Sequence, residues 1–158
     1  MNWKETLNAR LPFYGHRNWI VVADSAYPEQ SSPGIETLVS GAAQTEVLEQ
    51  VFASLSASEH VRPNVYIDRE LEFVSDRAAA GASAYRAQLS ALLQDQRATP
   101  LPHEEIIAQL DQAGQTFKIL LIKTTMTIPY TSVFLQLDCA YWDAESEQAL
   151  RASMQAHS

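Results

Sequence analysis

The stretch Gly15-His16-Arg17-Asn18-Trp19-Ile20-Val21-Val22-Ala23-Asp24 decides how this chain is read. Trp19 to Ala23 is a continuous apolar run, so both faces of the segment are expected to be buried. Such a strand belongs in the middle of a sheet covered by helices, with parallel neighbours. Asp24 ends the run, and Pro28 stops it from resuming. Open α/β sheets collect ligands outside the carboxyl ends of their strands, which is where Asp24-Ser25-Ala26-Tyr27-Pro28 would lie. Gly15-His16 lies at the opposite end. An extended chain of this length holds His16 and Asp24 well over ~20 Å apart. Their side chains meet only if the loop at Gly15 folds back.

Working outward, Trp3 to Leu11 reads as a short helix ended by Pro12, and Glu29 to Gly34 as a loop. Ser40-Gly41 marks a boundary before Thr45 to Leu55, where Val47, Leu48, Val51, Phe52 and Leu55 recur at helical spacing. Val61 to Val74 reads as a strand in which Val65, Ile67, Leu71 and Phe73 alternate. Asp76 to Gln96 reads as a helix with Tyr85, Leu89, Leu92 and Leu93 on one side; Gly81 weakens it, and Thr99-Pro100 lies beyond as a stop. Pro102-His103-Glu104-Glu105 opens another helix, which runs to about Gln112 and ends at Gly114. Phe117 to Ile122 and Ser132 to Leu137 are strands, joined through Lys123 to Tyr130, whose conformation the sequence leaves open. Asp143 to Gln155 reads as a final helix. With no internal repeat and no linker, strands and helices alternate as one α/β domain.

The bulk numbers agree with that reading. A chain of 158 residues fits one domain, and 46% hydrophobic residues are enough for a packed core. A formal net charge of -8 argues against unaided binding to nucleic-acid phosphates or anionic membranes, and fits a neutral or cationic small-molecule partner. The single cysteine, Cys139, excludes an internal disulfide and a cysteine metal cluster. Residues 1–16 lack the apolar core of a signal peptide, and no stretch approaches bilayer length, so a cytoplasmic location is expected.

Chemistry could reside in three places. The first is His16 with Asp24, flanking the apolar run. The second is His103 at a helix start, where a neutral imidazole can donate a hydrogen bond. The third is Pro129-Tyr130-Thr131-Ser132 at the entrance to the last strand. Each has a plainer reading: a turn cap, a solvated first-turn residue, a packing aromatic.

In order and spacing, however, these segments resemble the ribose pyranase/fucose mutarotase (RbsD/FucU) family. Gly15-His16, two intervening residues, an apolar strand, Asp24-Ser25-Ala26-Tyr27-Pro28, then Pro102-His103-Glu104-Glu105, then Ile122-Lys123 through Tyr130-Thr131-Ser132-Val133 follow the family's pattern over roughly residues 5–137. An Arg62-Pro63-Asn64 turn before the Val65 strand, followed by acids, is similar to the fucose branch.

The resemblance implies a single domain with a three-layer α/β/α fold around a central mixed, mostly parallel sheet of about six strands, and a divergent extension from about residue 138. It implies a mutarotase or pyranase, an isomerase that opens and re-closes the ring of a free monosaccharide. His16 inherits the role of catalytic acid, and Asp24, His103, Tyr130, Thr131 and Ser132 inherit sugar binding. Neither a metal nor an organic cofactor is expected. The family assembles as rings or stacked rings with sites completed across subunit contacts, so a homo-oligomer is expected, with a decamer as the candidate size. A non-catalytic monosaccharide-binding or regulatory protein retaining the pocket is the alternative.

Three departures stand out. Ser132 replaces the family's Asn and loses its amide. Lys123 replaces an Arg, keeping the charge without the planar fork. Asp138-Cys139-Ala140-Tyr141-Trp142 replaces a Gly-Val ending.

Overall fold

Trp19–Ala23 forms strand β1, and all five residues are buried. The computed structural model describes residues 1–158. In chain order its elements are α1 (Trp3–Arg10), β1, β2 (Ile35–Val39), α2 (Gln44–Ser56), β3 (Val61–Asp68), α3 (Ala82–Leu92), β4 (Ala98–Leu101), α4 (His103–Gly114), β5 (Ile119–Lys123), β6 (Val133–Cys139) and α5 (Ala144–Ala156). The strands make one six-stranded sheet in the order β2-β5-β1-β6-β3-β4. β1 pairs in parallel with β5, Val21 beside Leu121, and antiparallel with β6, Val21 opposite Phe134. β2 with β5 and β3 with β4 are also parallel, so β6 alone runs against the rest.

Successive side chains of a strand point to opposite faces, and β1 supplies both cores. Ile20 and Val22 join Leu7 of α1, Val47, Leu48 and Val51 of α2, and Tyr85 and Leu89 of α3. Trp19, Val21 and Ala23 face the other way, onto Ile106 and Leu110 of α4. Helices therefore cover both faces, in the expected three-layer arrangement, and the expected mixed, mostly parallel sheet is present. No residue of α5 is buried. No helix is long and apolar enough to cross a membrane.

The differences from the sequence reading have local causes. β2 and β4, which the reading did not contain, are the edge strands, and their partial exposure removes the apolar signature. Pro100 sits inside β4 because an edge strand leaves one row of N–H groups unpaired, so a missing donor is tolerated there. Val61 to Val74 is not one strand: β3 stops at Asp68, and Arg69–Phe73 coils into a 3-10 turn that exposes Phe73. Arg62-Pro63-Asn64 is not a turn but part of β3; β4 pairs only from Val65 onward, leaving Pro63 without a neighbour on that side. The third helix begins at Ala82 rather than Asp76, because Gly81 takes a left-handed φ of 91°. Asp76 then caps it, accepting the Ser83 N–H at 2.8 Å and the Ser83 hydroxyl at 2.6 Å.

The reversed direction of β6 positions the cleft described next. Its first residues meet the carboxyl ends of β1 and β3, because Val133 lies opposite both Val22 and Ile67. β4 ends beside Asp68 and leads through Pro102 straight into α4.

Candidate active site

A cleft of about 400 Å³ opens at this end of the sheet, lined among others by Asp24, Tyr27, Asp68, His103, Tyr130 and Ser132. Ser132, buried at the start of β6, donates its hydroxyl to Asp24 Oδ1 at 2.7 Å and accepts the Asp24 N–H at 3.1 Å. The pair locks the carboxylate that ends β1 against the incoming strand.

His103, the first residue of α4, is held at three points. Its N–H donates to both Glu70 carboxylate oxygens, at 3.0 and 3.1 Å, so a glutamate from the turn after β3 caps the helix. Its Nδ1 lies 2.9 Å from Asp68 Oδ1. Its ring meets the edges of Tyr130 and Phe134, with centroids 5.8 and 6.3 Å away. Burial raises the Asp68 carboxyl above its usual range, an effect His103 partly offsets and Glu70 and Asp24 reinforce. An ionised carboxylate only accepts, so Nδ1 carries the proton and Nε2 is left as an acceptor.

Tyr130 stands at the rim with a φ of 61°. Only one other non-glycine residue has positive φ: Arg17, at 80°. Both strained residues lie in segments singled out from the sequence, and strain persists where surrounding contacts enforce it. For Tyr130 the enforcing residue is Thr131. Thr131 is 1% exposed, its Oγ1 donates to Ile128 O at 2.7 Å, and its carbonyl accepts from Gln44 Nε2 and Tyr85 OH, each at 2.8 Å. Thr131 therefore anchors the loop from behind; its side chain is turned inward and away from the cleft.

His16 lies elsewhere. Gly15 to Asn18 closes a tight turn, with Gly15 N–H on Asn18 Oδ1 at 2.8 Å and Asn18 N–H on Gly15 O at 3.2 Å. This turn, with Arg17 left-handed, keeps the loop from folding back. His16 is 59% exposed, its Nδ1 3.0 Å from Asp138 Oδ1. It borders a separate hollow of about 380 Å³ with Arg17, Trp19 and Gln136. Partial burial alone would raise the Asp138 carboxyl, but the Cys139 N–H, His16 and Arg62 together pull it below its usual range. Within one chain, Asp24, His103, Tyr130 and Ser132 come together and His16 does not join them.

The sequence reading missed Asp68, Glu70 and Tyr27. Asp68 ends an apolar run just as Asp24 does, and that parallel was the available signal. Tyr27 is 6% exposed, packs on Phe134, and has no protein partner for its hydroxyl. No three His, Cys, Asp or Glu side chains are grouped to hold a metal ion.

This fold recurs among solved structures. RbsD of Bacillus subtilis complexed with D-ribose is 22% identical, with a TM-score of 0.60, and the match covers 84% of this chain and 91% of that one. FucU from Bifidobacterium longum is 14% identical, with a TM-score of 0.58 and coverage of 85% and 94%. The fucose mutarotase of Streptococcus pneumoniae in complex with L-fucose is 16% identical, with a TM-score of 0.50 and coverage of 85% and 89%. No protein-family model matches the chain, and no curated protein matches it by sequence. The chain has a divergent RbsD/FucU-like α/β fold.

Proposed function

We propose that the protein is a mutarotase or pyranase that opens and re-closes the ring of a free monosaccharide. The observation that carries this reading is the convergence of Asp24, His103, Tyr130 and Ser132 on one cleft, within a fold whose solved examples hold D-ribose and L-fucose. The volume lies within the range of small-molecule pockets, and the polar lining suits a polyhydroxylated ligand. Opening a cyclic hemiacetal takes a proton from the anomeric hydroxyl and delivers one to the ring oxygen. Side chains titrating near neutrality do this without further chemistry.

His16 is the acid in this proposal. Because it stands at the far end of β1, it serves the cleft of a neighbouring copy, and the working protein is a homo-oligomer, with a cytoplasmic decameric ring as the specific form proposed. Ser132 commits its hydroxyl to Asp24. Recognition of the sugar by this chain therefore rests on Asp24, His103 and Tyr130 rather than on a side chain at the Ser132 position.

Saturation-transfer NMR of anomeric and ring-size exchange, over a panel including D-ribose and L-fucose, tests the reading. Exchange faster than in buffer is expected for at least one sugar, with loss in Asp24→Asn and His16→Ala. If no sugar exchanges faster with protein, the enzyme reading is abandoned. The absence of His16 from its own cleft favours a second reading, a sugar-binding protein without catalysis. Calorimetry showing binding with no exchange would select it.

A further inference from the structure

We infer that His103 is a catalytic residue, the base that takes the proton from the anomeric hydroxyl, and that Asp68 is the residue that positions it. This rests on reading the cleft as a sugar-opening site and goes further, moving His103 from binding to proton transfer.

The three histidines whose side chains make contacts differ in what those contacts permit. His60 spends Nε2 on the Leu11 carbonyl at 3.0 Å. His16 pairs with Asp138 in solvent, with side chains 59% and 26% exposed. Only His103 meets a carboxylate sealed from water: the Asp68 side chain is 1% exposed and the imidazole 28%. Its Nε2 has no protein partner, and the imidazole forms part of the cleft wall.

A residue that only binds sugar needs no buried carboxylate behind it. Burying one is costly, and the 2.9 Å pairing with His103 Nδ1 offsets part of that cost. Here it does two things. It fixes the tautomer, so Nε2 always presents a lone pair. It also stabilises the imidazolium once Nε2 is protonated, and does so strongly because water is excluded. The mounting is rigid. Asp68 ends β3 between β4, where it pairs with Leu101, and the start of β6. Glu70 holds the His103 backbone, and Tyr130 and Phe134 hold its ring.

The step balances. Nε2 takes the anomeric O–H proton as C1=O forms and the bond from C1 to the ring oxygen breaks. The ring oxygen takes a proton from the His16 imidazolium of a neighbouring copy. The sugar's composition is unchanged, His103 becomes imidazolium and His16 neutral, and ring closure on either face returns both protons. The titratable groups that contact His103 or share the cleft with it are Asp68 from β3, Glu70 from the turn after it, Asp24 from the end of β1, Tyr27 and Tyr130 from the loops, and Glu104 from its own helix.

The experiment measures kcat and KM for exchange against pH in the wild-type protein, Asp68→Asn, Asp68→Glu and His103→Gln, with sugar binding by calorimetry and thermal melting alongside. Loss of a general base costs about 10²-fold or more in kcat. That loss is expected in Asp68→Asn and His103→Gln with binding retained, while Asp68→Glu recovers part of it and shifts the acidic limb of the kcat profile. Unchanged kcat in His103→Gln overturns the assignment, as does a loss that appears only in KM. Should Asp68→Asn fail to fold, His103→Gln, whose backbone cap is untouched, decides. A wild-type protein that exchanges no sugar sinks the mutarotase reading itself, a result distinguishable from failure of His103 alone.

Discussion

Tyr130 carries the local conflict of the site in one dihedral angle. Its φ of 61° is unfavourable for an L-residue with a large side chain, and the residue is 41% exposed, so packing returns little. Glycine has no such penalty, and Tyr130→Gly is expected to raise stability by about 1 kcal/mol, read by urea denaturation. The same change removes the ring against His103, so sugar exchange is expected to fall. Stability and activity moving in opposite directions would mark the strain as functional; both falling would mark Tyr130 as a packing residue. At this scale the sequence marks Asp24, His103, Tyr130 and Ser132, which line one cleft, because each sits at an abrupt end or start of an apolar segment. Asp68 was harder to read, because the chain leaves β3 through a 3-10 turn without glycine or proline, so only the polar end of Val65-Tyr66-Ile67 hints at the break. Thr131 lies in the same loop but is buried behind the cleft, and sequence order does not say which way a loop residue turns.

Among the elements, α2 does more than cover a face. Gln44 at its start is 2% exposed and donates to Val22 O at 3.3 Å and Thr131 O at 2.8 Å, while its Oε1 lies 2.8 Å from Thr124 Oγ1. One amide thus ties together the end of β1, the strand end after β5 and the loop before β6. Gln44→Leu fills similar space but removes all three bonds, leaving Thr131 O with Tyr85 OH alone and Thr124 Oγ1 with Ala23 O alone. A loss of about 1–2 kcal/mol is expected in chemical denaturation, with earlier amide exchange at Tyr130 to Ser132. A loss below that of an exposed substitution would show that water replaces the amide. The elements with a fully apolar run or a clean helical stripe, β1, α2, α4, β5 and β6, were readable from residue type alone. β2 and β4 were not, because an edge strand needs a hydrophobic pattern on part of one face only, and β4 carries a proline that reads as a stop.

For the whole molecule, the order of short motifs across the chain pointed to the correct sheet before any contact was known, since order is what a fixed topology preserves when residues drift. The sequence could not place His16 relative to the cleft. That depended on whether the Gly15 turn folds back, and the turn closes on itself instead. With the cleft at one end of β1 and His16 at the other, two different defects need not lie in the same working unit. Chains carrying His16→Ala keep an intact cleft; chains carrying Asp24→Asn keep an intact His16. Dissociated, mixed in equal amounts and reassembled, the two dead proteins are expected to recover about a quarter of the wild-type exchange, because random neighbours pair a sound cleft with a sound histidine at one contact in four. Unmixed samples stay silent, and silence in the mixture would mean that each chain must supply its own acid. Recovery, by contrast, would mean that two alleles that each abolish function complement one another.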